Sequence, residues 1–201
     1  MRLAGYDYAA PGAYFVTIVT QGRECLLGEV TADGTMRLSE VGETVSAEWQ
    51  ALPRHFARAR LDVYVVMPNH LHGLIVVNQG MIDGGRGEAF ASSEPFHLPP
   101  VANASPLQAH RWSGPDVDGL QGAHGTRRSS LGAMVQNFKA VSTRRLNAQR
   151  GMASAPFWQR NYYEHVVRGL ADLDRIRIYI HDNPARWMAD PLNSVNHEQL
   201  F

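Results

Sequence analysis

The stretch Met67-Pro68-Asn69-His70-Leu71-His72-Gly73-Leu74-Ile75-Val76-Val77 decides how this chain is read. Pro68-Asn69 is a turn signal, and the apolar, β-branched run behind it predicts a strand. Alternate residues of a strand share a face, so His70 and His72 project side by side while Leu71 faces the other way. Two neutral imidazoles so placed can share one divalent metal. The same pattern also describes two ordinary histidines on a half-buried strand. A metal would need a third ligand from elsewhere in the chain.

Working outward, Leu61 to Val66 predicts a second strand, and the short turn between the two makes the pair antiparallel. Ala13 to Thr20, rich in aromatic and β-branched residues, follows Pro11-Gly12 and predicts a further strand. Leu26–Val30 and Thr35–Leu38 flank Asp33-Gly34, a hairpin turn. Ser39 is a helix cap, with Glu40 and Glu43 at the positive end of the helix dipole. Val41, Val45, Trp49 and Leu52 recur at helical spacing, and Pro53 is expected to end the helix. A basic connection follows (Arg54, His55, Arg58, Arg60), while Tyr6 and Tyr8 are expected to be packing residues.

After the histidine strand the pattern dissolves. From about 79 to 125, glycine, serine and proline are scattered among polar residues, which predicts a mobile insertion within a single domain spanning 1–201. His97, His110 and His124 are expected to be loop histidines. Order returns at Ser129-Ser130, where Leu131, Met134, Val135, Phe138, Val141 and Leu146 form a helical stripe closed by Gly151. Lys139, Arg144 and Arg145 give this helix positive charge, either solvated or directed at phosphate. Tyr162 to Val167 predicts a strand. A last helix begins near Asp172 and stops before Pro184, with Leu173, Ile176 and Ile180 on its buried side.

The 201 residues suffice for a sizeable core, at 44% apolar content. No apolar run approaches the roughly 18 residues of a membrane span, and Met1 to Tyr6 lack a signal-peptide layout. Cys25 is the only cysteine, which excludes a disulfide framework and an all-thiolate zinc site. A cytoplasmic setting is expected. Net charge is zero, yet residues 126–201 hold 11 Lys and Arg against 6 Asp and Glu. That local excess suits phosphate contacts as well as ordinary solvated surface.

Tyr179 and Asn183 lie four apart, so they stack on one face of the last helix. If that face meets His70 and His72, Asn183 can supply a third metal ligand through its carbonyl oxygen and Tyr179 a nucleophile. Otherwise Tyr179 is an aromatic packed on the sheet.

Met67 to Gly73 resembles the histidine–hydrophobic–histidine (HUH) motif of single-tyrosine transposases. Phe157-Trp158-Gln159-Arg160-Asn161-Tyr162-Tyr163-Glu164-His165, running on to Tyr179-Ile180-His181-Asp182-Asn183-Pro184, resembles the REP-associated tyrosine transposases. Gly5-Tyr6-Asp7-Tyr8 and Pro11 to Thr17 are similar to the same family's N-terminus. The resemblance spans about residues 5–78 and 129–187 and leaves out the insertion, which is long for the family. It implies an α+β, ferredoxin-like antiparallel sheet with helices packed on one face and the histidines on a central strand. It implies binding of single-stranded DNA hairpins from repetitive palindromes, cut and rejoined through a 5′-phosphotyrosine with Mg²⁺ or Mn²⁺ and no ATP. By this resemblance Tyr179 is the nucleophile, and His70, His72 and Asn183 hold the metal; from their positive charge, Lys139, Arg144, Arg145 and Arg160 are the expected DNA contacts. Tyr162 and Tyr163 are weaker candidates for the nucleophile. A monomer or homodimer is expected. A non-catalytic hairpin-binding protein and a metal phosphoesterase using activated water are the competing readings.

Overall fold

The computed structural model describes residues 6–79 and 129–193. In chain order these form β1 (Gly12–Val19), β2 (Gly28–Val30), β3 (Met36–Leu38), α1 (Glu40–Gln50), α2 (Leu52–His55), β4 (Ala59–Met67) and β5 (His70–Val77). There follow α3 (Leu131–Gln149), β6 (Tyr163–Val166) and α4 (Leu170–Asp182), with short 3-10 helices at Gln21–Arg23 and Pro184–Ala189. Four of the strands make one antiparallel sheet in the order β4-β5-β1-β6, and β2 and β3 pair as a separate hairpin. The first crossover carries α1 and the second α3, which is the β-α-β-β-α-β connectivity of a ferredoxin-like sheet.

The histidine strand is central in this order, between β1 and β4. Its period of two divides the molecule. Leu71, Ile75 and Val77 join Tyr14, Val16 and Ile18 in the larger core, against Val45 and Trp49 of α1 and Leu131, Met134 and Phe138 of α3. Leu74 joins Phe15 and Ile180 in a second, smaller core with Val63, Val65, Leu173 and Ile176. The α+β class and the antiparallel sheet are as the sequence implied. The helices, however, do not all share a face. The two crossover helices lie on one, and α4 covers the other with its stripe of Leu173, Ile176 and Ile180. An amphipathic stripe dictates that a helix bury one side, but not which face of the sheet receives it.

Local chemistry explains the element ends. The Ser39 hydroxyl accepts from the Gly42 amide at 3.1 Å, and the Ser130 hydroxyl accepts from the Ala133 amide at 3.3 Å, so both long crossover helices start on a serine cap. Pro53 does not end the helical segment as expected. It sits in the first turn of α2, where a missing N–H costs nothing. α3 closes at Gly151, whose φ of 63° suits a residue without Cβ. Asn183 caps α4 with helical dihedrals, and Pro184 opens the following 3-10 helix. Tyr6 and Tyr8 pack edge-on at 5.0 Å between ring centres, next to Tyr14. The expected insertion, from residue 80 on, and His97, His110 and His124 lie outside the described residues. Among the described residues, no helix is long and apolar enough to cross a membrane.

Gly73 shows how tightly the core backs the histidine strand. A Cβ at this position would stand 2.4 Å from Cζ2 of the buried Trp49 ring. Only a residue without a side chain lets α1 approach the sheet this closely. Gly73→Ala is therefore expected to destabilise the fold by about 1–3 kcal/mol through overpacking, read as a lower urea midpoint. An unchanged midpoint would contradict this packing.

Candidate active site

Four segments converge on the face of the sheet opposite the larger core. β5 brings His70 and His72, and β1 brings Thr17 and Phe15. α4 brings Tyr179 and Asn183, and the segment after the last 3-10 helix brings Asp190. In the ladder, Thr17 stands opposite His72, and Val19 opposite His70. The side chains of both histidines, Thr17, Asn183 and Asp190 are buried.

The two imidazoles face one another, with His70 Nε2 and His72 Nε2 3.0 Å apart. Asp190 Oδ2 lies 3.9 Å from His70 Nε2. The Tyr179 hydroxyl is 3.3 Å from His72 Nε2, and its ring centre is 5.2 Å from that imidazole. Phe15 stacks on His72 from the side at 5.4 Å. The outer ring nitrogens are also held, His72 Nδ1 by Thr17 Oγ1 at 2.8 Å and His70 Nδ1 by Asn69 Oδ1 at 2.8 Å.

Burial sets the protonation of the group. It disfavours imidazolium, holding His72 down at about 3 and His70 well below the ordinary histidine range, where its neighbour His72 adds to the effect. Both are neutral and able to ligate. Burial pushes the Asp190 carboxyl up, opposed by the Leu192 N–H and the Asn183 amide. Burial, and then the charge of Asp190, push the Tyr179 phenol up to about 12, while the Asn183 amide and Arg186 pull the other way.

The donors His70, His72 and Asp190 offer one ligand atom each within 4.8 Å of one another, and this buried cluster can hold a metal ion. The fit has a second sign. Asn183 Oδ1 is buried with no hydrogen-bond partner, beside the same carboxylate and phenol. Two neutral nitrogens, one carboxylate and one orphaned carbonyl oxygen make a mixed donor set suited to a divalent cation. Asp190 was not visible in the sequence as a site residue. It falls beyond the helix stop, in an aperiodic stretch whose only signal is the Asp190-Pro191 turn pair.

The other candidates divide. Tyr163 points to this face of β6, opposite Thr17, with its ring 6.2 Å from Phe15; Tyr162 points to the other face, over which Lys139 sits. Lys139 donates to the backbone carbonyls of Gln159 and Asn161 at 2.9 and 2.8 Å, and burial brings its ammonium down to about 8. Arg145 pairs with the buried Glu48 of α1. Arg144 and Arg160 are exposed, and with Tyr6, Tyr8, Lys139 and Tyr162 they line an open groove of about 980 Å³.

No family model matches the chain. A protein of Haemophilus influenzae described only as uncharacterized is 33% identical over 192 residues, which covers 96% of this chain and 91% of that one, and the chain belongs to its family. Among solved structures, the REP-associated tyrosine transposase bound to a REP hairpin matches with a TM-score of 0.50 at 14% identity, covering 92% of this chain and 73% of that one. At that identity the likeness is one of fold. The class defined here is thus a transposase-like α+β fold with a buried histidine–aspartate cluster next to a tyrosine.

The buried imidazoles make metal-free stability depend on pH. In the unfolded chain a histidine takes up its proton near 6.5, whereas folded His72 resists protonation down to about 3. Between these values the unfolded state binds more protons, so native stability falls as pH falls. The raised Asp190 carboxyl acts in the opposite direction, one group against two imidazoles. The expected loss is about 1.4 kcal/mol per pH unit for each imidazole, measured by urea denaturation between about pH 7 and pH 4. His72→Gln is expected to flatten the slope; the same slope in that variant would contradict the assignment.

Proposed function

We propose that this protein is a metal-dependent nuclease and strand transferase acting on single-stranded DNA that folds into palindromic hairpins. The observation that carries the reading is the Tyr179 hydroxyl, 3.3 Å from a neutral imidazole of a buried pair that can share a metal with Asp190. His70, His72 and Asp190, with the Asn183 carbonyl oxygen, would hold Mg²⁺ or Mn²⁺. When bound, the ion would supply charge neutralisation for the scissile phosphate and orient its oxygens.

The chain's own residues carry the rest. Tyr179 is the nucleophile. Its oxygen forms a bond to phosphorus, the bond from phosphorus to the 3′ oxygen breaks, and the phenol's proton is matched by the one the departing 3′-hydroxyl acquires. No water is consumed, so the phosphotyrosine can be attacked by another 3′-hydroxyl and the strand rejoined. Phe15 and the α4 stripe keep bulk water from the imidazoles. Arg186, whose charge reaches Tyr179, favours the phenolate. Arg144 and Arg160 in the open groove are the exposed cations for backbone phosphates. Lys139 shapes that surface while bonded to backbone carbonyls, and Arg145 is paired with Glu48.

One observation favours a second reading, a hairpin-binding protein without catalysis: a phenol pushed up to about 12 is a poor nucleophile as it stands. The two readings part on a single gel. A labelled palindromic single strand with Mn²⁺ is expected to give a covalent protein–DNA adduct, absent with Tyr179→Phe and needing more Mn²⁺ with Asp190→Asn. An adduct that survives Tyr179→Phe but not Tyr163→Phe would move the nucleophile to β6. Salt-sensitive binding with no adduct would establish the binder instead.

Arg144→Ala combined with Arg160→Ala is expected to weaken DNA binding for all sequences alike. The slope of log K against log salt should become shallower by about 0.7 for each phosphate that is no longer neutralised. An unchanged slope would remove both arginines from the DNA surface.

A further inference from the structure

We propose that Asn69 is the positioning residue of this site: its amide fixes the tautomer of His70 and at the same time holds the segment that presents Asp190. The inference rests on reading His70, His72 and Asp190 as metal donors, and it is independent of the DNA chemistry.

Asn69 is fully buried in the turn between β4 and β5. Its Nδ2 donates to the Leu192 carbonyl at 2.7 Å and to the Arg23 carbonyl at 3.1 Å. Both partners can only accept, so the amide cannot be flipped. Its Oδ1 is therefore the atom that meets His70 Nδ1 at 2.8 Å. A carbonyl oxygen only accepts, so Nδ1 must carry the hydrogen. In a neutral imidazole the other nitrogen, Nε2, is then bare, and it points at His72 Nε2 and Asp190 Oδ2.

His72 has no such restriction. Its Nδ1 meets a threonine hydroxyl, which can donate or accept. Without a cation, His72 can place its hydrogen on Nε2 and donate to His70. With one, it can move that hydrogen to Nδ1 and donate to Thr17. The pair is thus asymmetric, with one imidazole fixed and one adjustable.

Leu192 links Asn69 to Asp190. The Asn69 amide holds its carbonyl, and its N–H donates to Asp190 Oδ1 at 2.6 Å. Oδ1 is engaged in this way, and Oδ2 is the oxygen turned toward His70. The backbone of Asn69 is itself clamped, its carbonyl accepting from the Thr20 amide at 2.9 Å and the Thr20 hydroxyl at 3.0 Å. One buried amide therefore aligns a nitrogen donor from mid-chain with an oxygen donor from the C-terminal segment. Partners of this kind orient metal ligands and tune their affinity.

Two measurements test it, with Co²⁺ as the probe. In a long-range ¹H–¹⁵N correlation spectrum of the metal-free protein, His70 is expected to be the Nδ1–H tautomer. A protonated Nε2 overturns the proposal without any variant being needed. Asn69→Ala, confirmed as folded by its denaturation curve, is expected to show mixed His70 tautomers and about 10- to 100-fold weaker Co²⁺ binding by visible absorption. A folded Asn69→Ala with unchanged tautomer and unchanged Co²⁺ affinity overturns it. A protein that passes both tests yet forms no DNA adduct would defeat the strand-transfer reading and leave the role of Asn69 standing.

Discussion

Two imidazole nitrogens held 3.0 Å apart away from water are the constraint around which the remaining groups are arranged. Burial keeps both rings neutral, so each offers a lone pair at one nitrogen and a hydrogen at the other. Every such atom in a dry pocket needs a partner, because an unmet polar group there costs roughly 1–3 kcal/mol. Thr17 and Asn69 answer the outer nitrogens. The inner ones face each other, a carboxylate and a phenol, an arrangement that can hold a cation.

The sheet makes this possible because one strand serves two purposes. Along β5 the residues that alternate with the histidines are Leu71, Gly73 and Ile75, and these meet α1 and α3 in the larger core. Gly73 lets Trp49 press against the back of the strand that carries the imidazoles. The rigid face fixes β5, and the functional face is then closed by α4 and the segment behind it, which bury far fewer apolar side chains. The candidate site thus lies on the less heavily packed side of the molecule. This division follows from strand periodicity.

Much of this is legible in the residues. The period of two puts His70 and His72 on one face, the i, i+4 spacing puts Tyr179 and Asn183 on another, and the Ser39 cap marks the first crossover helix. What is hidden has physical reasons. Asp190 and the roles of Thr17 and Asn69 depend on pairings between distant segments, which no local pattern encodes. The charge of α3 can be counted, but not that Lys139 is spent on backbone carbonyls and Arg145 on Glu48. A stripe on α4 announces a buried side without naming the sheet face that receives it. Pro53 reads as a stop because a proline in the first turn of a new helix looks, in sequence, like the end of the old one.

In the proposed site, residues from the middle of the chain and from its C-terminal part share one cation. Anomalous diffraction from crystals of this protein equilibrated with Mn²⁺ measures that directly. The expected result is a single strong peak within bonding distance of Nε2 of both His70 and His72 and of an oxygen of Asp190, with the Tyr179 hydroxyl adjoining it. Saturating Mn²⁺ with no peak between the imidazoles, or a peak that leaves Asp190 and Asn183 out of reach, would contradict it.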